Sequence, residues 1–342
     1  MKQTILAAWG LEGSSVAALG SGLINHTWKV SRDGQDYVLQ RINETVFRRP
    51  QDIAHNLREL GDFLQQHSPG YLFVAPLPAL NGEDLLSLPG EGFFRLFPFV
   101  SGSHTIDVVI SPGQAYEAAR QFAGFTSHLE GLPLDRLRIT IPRFHDLAFR
   151  FSQFEEARVQ GNPDRIREAG AEIKALSERS AVVDRFRALC SGSDFKLRVM
   201  HHDTKISNVL FDSAGRGLAV IDLDTVMPGY FVSDVGDMLR TYLSPVSEEE
   251  RDTNRVESRY EYFEAIREGY LEKMGRYLTP TEKEQFGEAG RIMIYMQALR
   301  FLTDFLQNDI YYGEKYAGHN LTRARNQLVL LDRLEQQILR KR

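Results

Sequence analysis

Met200-His201-His202-Asp203-Thr204-Lys205-Ile206-Ser207-Asn208, followed by Ile221-Asp222-Leu223-Asp224, is the stretch that decides how this chain folds. Asp203 and Asn208 stand five apart on a short loop between two apolar strands, and Asp222 lies fourteen residues after Asn208. This spacing lets two carboxylates and a carboxamide be aimed at one point. A lone loop Asp is usually a turn or cap residue. Here the spacing and the apolar strands on either side argue for chemistry instead.

His-x-Asp-x-x-x-x-Asn with a following Asp resembles the arrangement of kinase-like phosphotransferases. That resemblance implies that Asp203 accepts the proton of a substrate hydroxyl. Asn208 and Asp222 would hold Mg2+ against the phosphates of ATP, and Lys205 would reach the transferring phosphate. His201 is expected to brace the loop by hydrogen bonding. Adjacent residues on a strand point to opposite faces, which argues against a zinc site built from His201 and His202.

Outward from this core, the 342 residues suffice for two lobes with sizeable cores. Hydrophobic content of 42% and charged content of 25% fit an ordinary globular protein. A formal net charge of -5, with basic residues scattered, gives no global attraction to nucleic acid or to an anionic membrane. The single Cys190 precludes an intrachain disulfide and a Cys-rich zinc site, and it reads as a buried bystander. No run approaches about 18 apolar residues, and no signal-peptide pattern opens the chain. The expectation is a cytoplasmic protein acting on a small molecule, with no nucleic-acid or membrane partner.

Residues 20–43 read as a β-hairpin turning at Asp33-Gly34. Helical spacing follows over 51–66, with Ile53, Leu57, Leu60 and Leu64 on one stripe. Two strands are expected to flank Asn81-Gly82, and Phe93 to Val100 forms another. Ser111-Pro112-Gly113-Gln114 then opens a helix. More helices are expected near 144–160, 164–179, 181–190, 232–243, 256–275, 282–308 and 321–340, interrupted by a catalytic hairpin at 196–224. The expected fold is α+β and two-lobed, like the protein kinases. Residues 1–100 form a small antiparallel-sheet lobe for the nucleotide, and residues 101–342 a larger helical lobe for catalysis and substrate.

Candidate nucleotide contacts lie in the first lobe. Gly20 and Gly22, two apart, make a strand-to-strand turn whose bare amides can face phosphate. On the second hairpin strand, Arg41 is the expected phosphate cation, because neutral Gln40 cannot balance phosphate. Glu59 is its candidate partner on the following helix. Phe97 and Phe99 bracket the expected hinge, against which adenine would rest.

The residues further resemble the aminoglycoside phosphotransferase and choline kinase superfamily. Arg41 in Val-Leu-Gln-Arg-Ile-Asn looks like the Arg that choline kinases carry. Gly236-Asp237-Met238-Leu239-Arg240, after Val232-Ser233-Asp234, is similar to the family's acidic helix start, which makes Asp234 and Asp237 scaffold residues. A narrower resemblance is to N-acetylhexosamine 1-kinases. It rests on residues 37–43, on Asp203-Thr204-Lys205, on Ile221 to Gly229, on Arg300-Phe301-Leu302-Thr303-Asp304 and on Tyr316 to Arg325. It implies ATP-dependent phosphorylation of the anomeric hydroxyl of an amino sugar.

A neutral sugar suits the composition. From Arg300 to Arg325 there are four basic residues (Arg300, Lys315, Arg323, Arg325) and three acidic ones (Asp304, Asp309, Glu314), too little acid for a polycationic acceptor. Asp224, Arg300 and Tyr311 are the candidate acceptor contacts, able to hydrogen-bond hydroxyls or an acetamido group. The alternatives are a choline, ethanolamine or homoserine kinase and, in another class, a nucleotide-binding pseudokinase module.

Overall fold

A computed structural model describes residues 3–19 and 25–339. The first elements are α1 (Gln3–Ala7), β1 (Ser15–Ala18), β2 (His26–Arg32), β3 (Gln35–Arg41), α2 (Pro50–His67), β4 (Leu86–Leu88) and β5 (Gly92–Pro98). Helices α3 (Pro112–His128), α4 (Leu147–Gln160), α5 (Pro163–Glu168), α6 (Gly170–Ser177) and α7 (Ala181–Ser191) follow. Strands β6 (Leu197–Met200), β7 (Val209–Phe211), β8 (Gly217–Val220) and β9 (Met227–Tyr230) come next. Last are α8 (Phe231–Tyr242), α9 (Tyr260–Met274), α10 (Pro280–Glu284), α11 (Phe286–Leu306) and α12 (His319–Gln337). The fold is α+β, with an antiparallel sheet early and helices late.

The chain divides into two compact units. Unit 1 holds residues 1–104, 128–142 and 210–228; unit 2 holds 105–127, 143–209 and 229–342. The sequence places a single division at 100/101. The segments 128–142 and 210–228 instead group with the sheet, for reasons visible in unit 1. Asn56 on α2 donates through Nδ2 to the carbonyls of Arg138 and Val226, and His104 and Phe211 exchange backbone hydrogen bonds.

Unit 1 is built on a five-stranded sheet of order β1-β2-β3-β5-β4. Asp33 and Gly34 both take positive φ, which lets β2 and β3 meet in a tight turn. Alternation along the strands sends Val30, Leu39, Phe94 and Leu96 into one core with Ile5, Leu6 and Leu11. On α2, Ile53, Leu57, Leu60 and Leu64 are all buried, as their spacing predicts. Of the two strands expected around Asn81-Gly82, only β4 is one. The other side is a single bridge, Leu77 to Leu96, because Pro76 and Pro78 cannot donate to a ladder. Both α1 and the largely exposed β1 escape the sequence reading, as they are too short for a periodicity to register.

Unit 2 is helical around α11, which is buried along most of its length. The periodicity over 164–179 resolves into α5 and α6, and that over 282–308 into α10 and α11. Ser111 caps α3 by accepting from the Gln114 amide at 3.3 Å. Strand β6 pairs with β9, whose second half, Gly229–Tyr230, lies in this unit.

Candidate active site

In unit 2 the loop after β6 is held from three sides. Asp234, in the first turn of α8, accepts the backbone amides of His201 at 3.0 Å and His202 at 2.8 Å. Asp237, one turn on, accepts the Thr204 amide at 2.8 Å, and the Thr204 hydroxyl donates to the Asp234 carbonyl at 2.8 Å. Tyr242, at the end of α8, donates its hydroxyl to the Thr204 carbonyl at 2.5 Å. Negative side chains at a helix start are favoured by its dipole, and here they also satisfy the loop's backbone donors. The scaffold role expected of Asp234 and Asp237 is what the contacts describe.

The clamp fixes Asp203. Its amide donates to His201 Nδ1 at 3.2 Å, and the His201 ring packs edge-on against Phe122 and Phe125. Asn208, on the short 3-10 turn Ile206–Asn208, donates through Nδ2 to both the Asp203 carbonyl at 2.8 Å and Asp203 Oδ2 at 3.1 Å. Lys205 Nζ lies 3.2 Å from Asp203 Oδ1. Thus Asp203, Lys205 and Asn208 converge. Burial works to raise the Asp203 pKa, but the charge of Lys205 beside it outweighs burial and holds the carboxyl below its ordinary value. Asp203 in turn pushes the Lys205 ammonium up. Burial pushes Asp234 up to about 7, against the two backbone donors that pull it down.

His202 has φ 66°, and its Nδ1 lies 3.1 Å from the Met200 carbonyl. A Cβ on Gly229 would fall 2.4 Å from His202 Nε2, so glycine is what lets β9 pass the imidazole.

In unit 1, Asp222 follows β8 in the left-handed conformation, φ 59° and ψ 58°. Such a conformation in a non-glycine residue costs of order 1–3 kcal/mol and clusters at functional sites. Asp224, two residues on, is buried. Its Oδ1 lies 2.6 Å from Arg95 Nη1, and its Oδ2 accepts from Asn25 Nδ2 at 2.8 Å. Both oxygens of this expected acceptor contact are therefore engaged within unit 1.

Arg95 is the cation the sequence reading passed over. It opposes Gln40 in the β3–β5 register and donates to Gln40 Oε1 at 2.8 and 3.1 Å. Arg41 points to the other face, the one that carries Leu39, and its guanidinium borders Gly92 and Glu44. Glu59, the expected partner of Arg41, pairs instead with Arg136 at 2.5 Å. An arginine between the buried residues Phe94 and Leu96 was the available signal for Arg95, since a buried guanidinium needs a carboxylate. Phe97 lies under Arg95, ring centre 5.0 Å away, and Phe99 under Lys29, 4.9 Å away. Gly20 and Gly22 lie outside the described residues.

The acceptor candidates of unit 2 do meet. Arg300, on α11, lies 5.9 Å from the Tyr311 ring centre, 5.4 Å from that of Tyr312 and 5.1 Å from that of Phe144. Asp304 holds the turn by accepting the amides of Tyr311 at 2.7 Å and Tyr312 at 2.9 Å. Tyr311 is exposed. Among the described residues, no group of three or more His, Cys, Asp or Glu forms a metal cage, and no helix is long and apolar enough to cross a membrane.

Residues 15–271 match the family described as "Phosphotransferase enzyme family". Among solved structures, a microcompartment-associated aminopropanol kinase is similar at a TM-score of 0.71 and 16% identity, over 99% of this chain and 97% of that one. An amicoumacin kinase solved with AMP-PNP, Ca2+ and Ami is similar at 0.66 and 14% identity, over 96% and 91%. An aminoglycoside phosphotransferase from Alicyclobacillus acidocaldarius is similar at 0.64 and 14% identity, over 99% and 97%. At these identities the likeness is one of fold.

Proposed function

The chain belongs to the phosphotransferase enzyme family, and from that premise we propose that it is an ATP-dependent kinase of N-acetylhexosamines, acting at the anomeric hydroxyl. The observation that carries the reaction type is the clamped loop, where Asp203 touches both Asn208 Nδ2 and Lys205 Nζ. Asp203 orients the acceptor hydroxyl and takes its proton. A carboxylate held below its ordinary pKa is a weak base. That suits an anomeric hydroxyl, which is more acidic than an ordinary alcohol. Lys205 exchanges its pairing with Asp203 for the transferring phosphate.

Asn208 and Asp222 are the proposed Mg2+ ligands. The donor set fits: magnesium takes carboxylate and amide oxygens, with substrate phosphates and water completing the shell. Asn208 spends its amide nitrogen on Asp203, which turns its oxygen the other way. When bound, the ion would neutralise charge on the phosphates. Gly20, Gly22, Phe97 and Phe99 are the proposed nucleotide contacts of residues 1–100; Arg41 lies on the opposite face of the sheet from Phe97 and does not join them. Arg300 and Tyr311 are the proposed acceptor contacts, and Asp224 would join them only by releasing Asn25 or Arg95.

A second reading is an amino-alcohol kinase, the activity named for the aminopropanol kinase. The charge around Arg300 favours the neutral sugar. Neither Arg300 nor Arg150 has a carboxylate partner among the described residues, and a cationic acceptor beside them would be repelled.

A panel of N-acetylhexosamines, hexoses and amino alcohols, assayed for ATP turnover with phosphorus NMR of the product, tests this function. A sugar 1-phosphate is expected. A 6-phosphate, or turnover with amino alcohols alone, overturns the acceptor assignment. In the same assay, Asp203→Asn is expected to lower kcat by about 10²–10⁴-fold with nucleotide affinity retained; activity within a fewfold of wild type would remove Asp203 from the mechanism.

A further inference from the structure

Most of the buried or half-buried arginines of unit 2 carry a carboxylate. Arg165 pairs with Asp309, Arg198 with Glu282 at 2.7 Å, Arg240 with Asp237 at 2.8 Å, Arg323 with Glu248 and Arg325 with Glu172 at 2.7 Å. Arg150, Arg259 and Arg300 do not, but Arg259 spends its donors on the carbonyls of Tyr242, Leu243 and Ser244, whereas Arg150 and Arg300 meet at Phe144. Arg150, on α4, donates to Gln153 Oε1 at 2.9 Å and to the Phe144 carbonyl at 3.1 and 3.3 Å. Arg300 donates to Gln297 Oε1 at 3.0 Å and lies against the ring of the same Phe144. The acid within reach, Asp146, is spent: it accepts the Phe149 amide at 3.0 Å and Arg143 Nε at 2.8 Å.

His145 completes the group. Its ring stacks on Phe144 at 4.4 Å, and its Nδ1 is buried with no hydrogen-bond partner among the described residues. Burial, and then the positive field of His202, Arg300 and Arg150, keep this imidazole neutral. Burial and then Arg300 press the Arg150 guanidinium down to about 10. Two neighbouring guanidiniums and an unsatisfied buried ring nitrogen are costly without a counter-charge. An anion removes all three costs. Arginine offers paired N–H donors suited to the planar or tetrahedral oxygens of carboxylate or phosphate, and His145 with its proton on Nδ1 adds another donor.

We infer that Arg150, Arg300 and His145 form an anion subsite that takes a phosphate or carboxylate group of a small molecule. Arg300 is shared with the proposed acceptor contacts. An acidic substituent on the acceptor would thus sit here, and a free anion would compete with the acceptor. The inference does not require the acceptor to be a hexosamine.

The test is calorimetric titration of the ADP-loaded full chain with inorganic phosphate, and then with acetate. Saturable phosphate binding is expected, weakened about tenfold or more in Arg150→Gln and in Arg300→Gln and partly restored in Arg150→Lys. Phosphate should also raise the acceptor KM without changing kcat. A 6-phosphorylated or uronic-acid hexosamine with a lower KM than its neutral parent, an advantage lost in Arg150→Gln, would identify an acidic acceptor. Equal KM values with phosphate still competing would identify a free anion. Absence of saturable binding, or affinities within about twofold across wild type and both Gln variants, overturns the subsite. If Arg150→Gln fails to fold, Arg300→Gln and the phosphate competition decide alone. The titration needs no turnover, so its outcome stands apart from that of the acceptor panel.

Discussion

Asp222 separates stability from function at a single residue. Its φ of 59° is one that asparagine tolerates at least as well as aspartate and alanine tolerates poorly. Asp222→Asn should therefore melt at or above the wild-type temperature, while Asp222→Ala should lose about 1 kcal/mol from backbone conformation alone. Both should weaken Mg–ATP binding, since each removes the carboxylate. Paired thermal melts and calorimetry check this; wild-type Mg–ATP affinity in Asp222→Asn would dismiss the metal role. The same residue shows what a sequence makes legible. Asp203, Asn208 and Asp222 are readable because their relation is a spacing along the chain. Arg95 is not, because its relation to Gln40 exists only through the β3–β5 register, and its relation to Asp224 spans 129 residues of chain. Arg150 was hidden as one more basic residue on a helix; its missing carboxylate and its meeting with Arg300 at Phe144 exist only in the fold.

At the scale of elements, α8 and the loop after it act as a clamp. Arg240 joins Asp237 to Glu248, and Glu248 also holds Arg323 on α12. Arg323 in turn lies over the Phe301 ring at 3.7 Å. Burial alone would raise the Glu248 pKa, but Arg240 and Arg323 outweigh it and pull it down to about 2, from an ordinary value of 4.5. A carboxyl depressed on folding adds stability that is complete above about pH 4.5 and is lost as pH falls towards 2. Glu248→Gln should thus be destabilised by about 3 kcal/mol at pH 7 and should converge on wild type as pH falls through that window. Denaturant unfolding at pH 7, 4 and 2.5 measures it. A constant gap between the two proteins at all three values would show that the ion pairs are not its source. The helices of this clamp were legible from their apolar period. The charge network was not, since it joins residues on three elements that only packing brings together.

At the scale of the whole molecule, charge decides which acceptors can be drawn in. The chain carries a formal net charge of -5, whereas Arg150 and Arg300 make the proposed acceptor side locally positive. A charged acceptor would feel both fields, and salt screens them over about 8–10 Å at ordinary ionic strength. A neutral one feels neither. The kcat/KM for a neutral N-acetylhexosamine, at saturating Mg–ATP, should therefore change less than about twofold between roughly 0.05 and 0.5 M salt. An amino alcohol would give a clear slope, because its ammonium must approach those two guanidiniums. The α+β architecture that imposes this choice was predictable from the change in composition near residue 100. The assignment of 128–142 and 210–228 to unit 1 was not, because Asn56 and His104 make that choice through contacts far apart in sequence. A salt slope for the neutral sugar as steep as that for an amino alcohol would show that acceptor charge is not what sets the slope, and the two arginines would no longer favour a neutral acceptor.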